Sequence, residues 1–310
     1  WSGIKKNVFG DNGLPPSKEV NEQRVLGLPL KILVPIIAFL SAPIIAYLLS
    51  AYQDIGGGNT FLGEQNIVNL LFKTIGVGIL LYLGYIIYQS KPEERKKLIV
   101  AVFITLFMTI FWGFHELSGS VITLFAARNV NLVWIDAAQT NALNSMWIII
   151  LSIPISMLWG YLSKKGKNPR TPFKFATGLA LAGISFYVLA LSGTSADENG
   201  MVPFSYLIIM YFLISVGELF MSPVGLSKIT DLSPKRIVAF MMGIWFLSSA
   251  YAFQVVGFIG KQLAIESTDE NIGGLATLST YIGGFDLIAK YALGASLLVF
   301  ILSPILKRMM

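Results

Sequence analysis

The chain has 310 residues, of which 55% are apolar and 13% charged, with a net charge of +6 and no cysteine. The charged share is about half of the ~25% usual in a soluble domain, and the mean hydropathy of +0.68 points to a membrane chain instead. Without thiols there is no disulfide framework, no thiolate nucleophile and no cysteine-ligated metal.

The opening WSGIKKNVFG has no initiator methionine, and it lacks the apolar core and small-residue cleavage site of a signal peptide. It reads as the start of an internal fragment or a processed product. A spanning helix needs about twenty mostly apolar residues. Eight stretches qualify: 30–52, 66–89, 98–127, 138–162, 173–192, 203–227, 236–262 and 281–306. Turn-rich or charged connections separate them, among them DIGGGNTFLGEQN, KPEERKK, SKKGKNPRTP and ESTDENIGGLATLST. Nineteen of the 23 Lys and Arg residues fall on alternate connections or at the chain ends: 1–31, 91–97, 164–174, 228–236 and 307–308. The positive-inside rule then puts both ends in the cytoplasm. The basic pI near 9.3 follows from this topology and implies no nucleic-acid partner.

Within the spans, polar residues recur at helical spacing. Glu116, Ser120 and Thr123 follow i, i+4, i+7 in the third span. Thr140, Asn141 and Asn144 share a side of the fourth. Tyr211, Ser215, Glu218, Ser222 and Gly225 line the sixth, and Met241, Trp245, Ser248 and Ser249 the seventh. Lipid would leave these groups unpaired, so the stripes are expected to meet around a water-filled cavity. An acid at mid-span costs on the order of 3 kcal/mol, which marks Glu116 and Glu218 as functional. The bland alternative is a protonated carboxyl bonded to a neighbouring helix. Asn144 and Trp245 read equally well as packing, and the serines as helix-bridging or back-bonded hydroxyls.

His115, the only histidine, sits about 100° round the helix from Glu116 and reads as structural. Lys290 has Asp286 as an i, i+4 partner, and Lys73 snorkels from a span without a polar stripe. Neither acid then has a cation at its depth. Either both are protonated, or their partners lie on another polypeptide segment. Pro154 and Pro223 each delete a helix hydrogen bond, so bends are expected there, with Pro223 a candidate gate joint just beyond Glu218. Enzyme signatures are missing: there is no GxSxG, HExxH, phosphate loop or GxGxxG. No catalytic residue, metal site or cofactor is expected.

FWGFHELSGS at 111–120, followed by LFAARNVN, resembles the seventh-helix signature of the proton-dependent oligopeptide transporter family. ALNSMWIIILSIPISMLWGYL is similar to that family's eighth helix, and GELFMSPVGLSKITDLSPKRIVAFMMGIWFLSSA at 217–250 to its tenth and eleventh. GDNGLPP resembles the linker before the accessory helix pair of bacterial members. The resemblance implies an all-α membrane protein of major-facilitator type. Its parts would be a cytoplasmic linker (1–29), an accessory transmembrane hairpin (30–97) and a C-terminal six-helix bundle of two inverted three-helix repeats (98–310). It implies proton-coupled symport of di- and tripeptides across the inner membrane, with the proton as coupling ion and an N-terminal six-helix half as partner. That half's ExxERFxYY signature is not in this sequence.

By matched motif, Glu218 would bind the peptide's amino terminus with Asn144, Trp245 and Ser249 would line the pocket, and Glu116 would serve proton-linked gating. The chain departs from the pattern after the acid, where Leu117 and Ser118 replace the usual glutamine, and at His115, usually an apolar position. Two rivals remain. A same-fold transporter of nitrate or another small solute would change only the substrate. A non-transporting membrane scaffold would call for apolar bundle interiors.

Overall fold

The computed structural model describes residues 22–25, 27–54, 67–262 and 274–310. The GDNGLPP stretch at 10–16, the connection over 55–66 and residues 263–273 lie outside the described residues. The helices are α1 (Leu30–Asp54), α2 (Ile67–Gln89), α3 (Pro92–His115), α4 (Val121–Asn129), α5 (Ala142–Lys164), α6 (Thr171–Leu191), α7 (Ser205–Leu232), α8 (Val238–Gln262) and α9 (Gly274–Met309). Short pairings add β1 (Arg24–Val25) antiparallel to β2 (Leu28–Pro29), and β3 (Val130–Asn131) parallel to β4 (Val202–Pro203).

Seven helical segments among the described residues are long and apolar enough to cross a membrane, and the segment holding α3 and α4 counts as one of them. The first expected span is helical as α1, with its apolar stretch over Leu30–Pro43, but it is not among the seven. The last helix starts at Gly274, seven residues before the position expected from hydropathy, because Ala276–Thr280 continue the turn that Gly274 opens.

The chain divides into two compact units, one ending at Tyr85 and the other running Ile86–Met310. Residues 86–97 go with the second unit through side-chain ties. Arg95 donates to the carbonyls of Ile87 and Tyr88, and Arg236 pairs with Glu94 at 2.8 Å.

In the second unit α6 runs between α9 and α7, and α3 packs on α7 and α8. Close approach replaces hydrophobic contrast as the cohesive device, since lipid is as apolar as leucine. A Cβ at Gly178 would strike the Met221 side chain, and one at Gly217 would lie 2.8 Å from the Gly178 carbonyl oxygen. Ser296 donates to the Ala176 carbonyl at 2.7 Å, a buried bond from α9 to α6. Phe125 meets Tyr281 and Phe285 edge-on at 5.4 and 5.0 Å. By contrast α5 exposes Ile149, Ile150, Ile153 and Met157, an apolar surface suited to lipid or to another bundle.

The third span is not one helix. A 3₁₀ turn at Glu116–Gly119 and an irregular Ser120 (φ −133°, ψ −86°) separate α3 from α4. This overturns the i, i+4, i+7 stripe: Ser120 and Thr123 turn to local carbonyls, Thr123 donating to Ser118 O at 2.9 Å. Pro154 and Pro223, where bends were expected, lie inside α5 and α7.

Candidate functional site

The site grows from the crossing of α3 and α7. Gly217 lets α7 approach α3 and α6; a Cβ there would sit 3.3 Å from the Phe111 ring. The next residue, Glu218, is thereby set beside the last turn of α3. Its carboxylate oxygen Oε2 accepts from Asn144 Nδ2 of α5 at 3.2 Å and lies 3.1 Å from Nε2 of His115. Asn144 also donates to Ser215 Oγ at 3.0 Å, and Ser215 donates to its own helix at Tyr211 O at 2.6 Å. On the other side of the imidazole, Nδ1 is 4.0 Å from Oε1 of Glu116, the first residue of the 3₁₀ turn. Trp112 meets the ring edge-on at a centroid distance of 4.8 Å.

His115 is nearly enclosed, its side chain 9% exposed, whereas Glu116 (27%) and Glu218 (19%) keep part of their carboxyls open. Neither ring nitrogen has an aligned hydrogen bond, so the contact with Glu218 is ionic by distance. With the imidazole protonated the three groups sum to one negative charge; with it neutral they sum to two. Either way the cluster favours one more cation, in a setting where an unpaired charge is expensive.

This corrects the expectation that neither acid has a cationic partner at its depth within the chain: His115, read as structural, lies between the two. His115 is the residue that sequence reasoning missed. A helical wheel of the third span separates it from Glu116 by about 100°, but the turn tightens at Glu116 and the second acid arrives from α7. A usable signal was present: a lone imidazole in a spanning segment needs a partner as much as an acid does.

The remaining expected residues are distributed as follows. Trp245 is 5% exposed and packs over Gly225, where a Cβ would strike the indole and come within 2.9 Å of Phe175. Gly225 is seven residues past Glu218, about 10 Å along α7, where it makes room for the indole ring. Ser248 and Ser249 donate to Trp245 O and Phe246 O of their own helix at 2.6 and 2.7 Å. Pro223 is exposed on α7. Lys290 pairs with Asp286 at 2.6 Å, as its spacing implies. Lys174, counted above with a basic connection, is instead a buried residue of α6 with Nζ 3.9 Å from the Trp159 ring centroid.

The end of α4 holds a second polar device. Asn129 is fully buried and donates to Gly200 O and Gly274 O at 2.9 and 2.8 Å, while accepting from Thr277 at 3.1 Å. Gly200 has φ +75°, a conformation that glycine adopts without strain, and a Cβ there would strike Gly274. Asn129 thus ties the connection at Gly200 to the first turn of α9.

A POT family model matches residues 65–275. Dipeptide and tripeptide permease B of Aliivibrio fischeri is 31% identical over 254 residues, covering 79% of this chain and 51% of that protein. Dipeptide and tripeptide permease A of Escherichia coli is 30% identical over 252 residues, covering 80% and 49%. The chain therefore spans about half the length of the curated relatives it matches. A crystal structure of peptide transporter POT in complex with sulfate superposes with a TM-score of 0.70 at 25% identity, covering all of this chain and 58% of that one. A mutant of peptide transporter POT in complex with alafosfalin gives 0.67 at 26%, with the same coverage.

Proposed function

The chain belongs to the POT family, and from that premise we propose that it is the C-terminal part of a proton-coupled symporter of di- and tripeptides. The observation that carries this reading is the Glu218 carboxylate, fixed by Asn144, beside a cluster whose net charge calls for a cation. A peptide ammonium is such a cation. Trp245 and Ser249 are proposed to bound the pocket on the α8 side, Glu116 to couple protonation to gating, and Pro223 to serve as a joint of α7. The permease names of the relatives support the substrate class.

The relatives' length supports a partner: an N-terminal six-helix half that closes against this bundle, so that the two rock about a central site. The basic connections are proposed to face the cytoplasm, with both chain ends inside and the whole in the inner membrane. A proton moving inward is driven by about 2.3 kcal/mol per 100 mV, roughly fifty-fold accumulation of a co-transported peptide. No cofactor or enzymatic step is needed. A nitrate-type anion would meet two carboxylates, and a non-transporting scaffold would have no use for them. Labelled dialanine uptake into proteoliposomes, with and without a pH gradient, tests the reading; gradient-driven uptake of nitrate but not dialanine would replace it.

A further inference from the structure

Resting on the peptide-symport reading, we propose that His115 is a proton relay of this site: it holds Glu218 while protonated and passes its proton to Glu116 when a peptide amine takes its place. The two ring nitrogens face the two acids, Nε2 at 3.1 Å from Glu218 and Nδ1 at 4.0 Å from Glu116. One imidazole therefore connects the substrate acid to the coupling acid.

The Glu218 oxygen that meets the ring is also the one that Asn144 fixes, so an ammonium arriving at that oxygen meets the imidazole edge. Two cations side by side repel, and the ring's burial leaves little water to screen them. The proton leaves by the other nitrogen. The Nδ1–H bond breaks and an O–H bond forms on Glu116, giving a neutral imidazole and a neutral carboxylic acid. The ammonium keeps its charge against Glu218, so total charge is unchanged and no other reactant enters. A ring or carboxyl rotation of about 1 Å brings the 4.0 Å gap to hydrogen-bond length. The proton then stays with the peptide through the cycle, as symport requires.

The groups around the ring are accounted for element by element. The ring's own span brings Glu116, α7 brings Glu218, and α5 brings the amide of Asn144. The other helices packed on α3 hold their charges elsewhere: Lys174 of α6 lies over Trp159, Asp286 and Lys290 of α9 pair with each other, and Lys307 and Arg308 stand in the last turn of α9. The further titratable side chain described on α8 is Tyr251.

The test uses the assembled transporter in detergent with ¹⁵N-labelled histidine, the His115 resonances being those lost in His115→Gln. With no peptide bound, His115 gives the doubly protonated pattern. Saturating dialanine converts it to the singly protonated one, and N-acetyl-dialanine leaves it unchanged. In proteoliposomes His115→Gln and His115→Asn both lose gradient-driven dialanine accumulation and keep counterflow. Dialanine bound with the imidazole still doubly protonated overturns the relay alone, as does intact gradient-driven accumulation in both variants. Failure of the unaltered transporter to bind dialanine overturns the peptide reading, and the relay with it.

Discussion

Glu218→Gln keeps the volume of the side chain and a bond to Asn144, and it deletes the charge that answers an ammonium. Losing one partner of a buried charged contact costs about 2–5 kcal/mol, so dialanine affinity is predicted to fall on the order of 30-fold or more. The unaltered protein is predicted to lose affinity for N-acetyl-dialanine to a similar degree. Thermal-shift titration measures both, and normal dialanine binding by the variant would remove Glu218 from the recognition site. Glu116→Gln separates the second role: gradient-driven uptake is lost while counterflow persists. Loss of binding with coupling intact would exchange the two assignments. Both acids and Asn144 were legible because polar groups in a spanning run are costly enough to need a reason. The contact of His115 with Glu218 was not, because it depends on Gly217 bringing α7 onto Phe111, a crossing that no single-helix periodicity contains.

At the scale of elements, a close-packed bundle leaves little slack. Gly225→Ala puts a methyl group against Trp245 and Phe175, and overpacking of that kind costs about 1–3 kcal/mol. The predicted result is a lower melting temperature in detergent that Trp245→Phe partly restores; an unchanged melting temperature for Gly225→Ala would mean that α7 and α8 are not packed there. Helix existence was readable throughout the second unit, since runs of about twenty apolar residues leave few alternatives. Helix continuity was not. Proline chemistry pointed to bends at Pro154 and Pro223, which lie within helices, whereas the interruption at Glu116–Gly119 carries no proline to announce it. The reason lies in tertiary bonding: Ser118 Oγ donates to Asn141 Oδ1 at 3.0 Å and Ser118 O accepts from Thr123, so the turn's polar groups find partners away from an α-helical ladder. The start of the last helix was likewise hidden, because Gly274 and Thr277 are placed by Asn129 from 145 and 148 residues earlier in the chain.

At the scale of the whole molecule, the alternation of basic connections was legible from charge counting alone. The apolar exposed face of α5 and the partly open carboxyls of Glu116 and Glu218 fit a wall that closes against another bundle. The 310 residues by themselves are therefore predicted not to transport, even when inserted and helical, and co-expression of an N-terminal half is predicted to restore uptake. The most direct measurement is the uptake of labelled dialanine into proteoliposomes containing the assembled transporter, with an inward proton gradient, without one, and with Glu218→Gln. The account predicts accumulation with the gradient, only equilibration without it, and neither in the variant. Equal accumulation with and without the gradient, or full activity of Glu218→Gln, would contradict it.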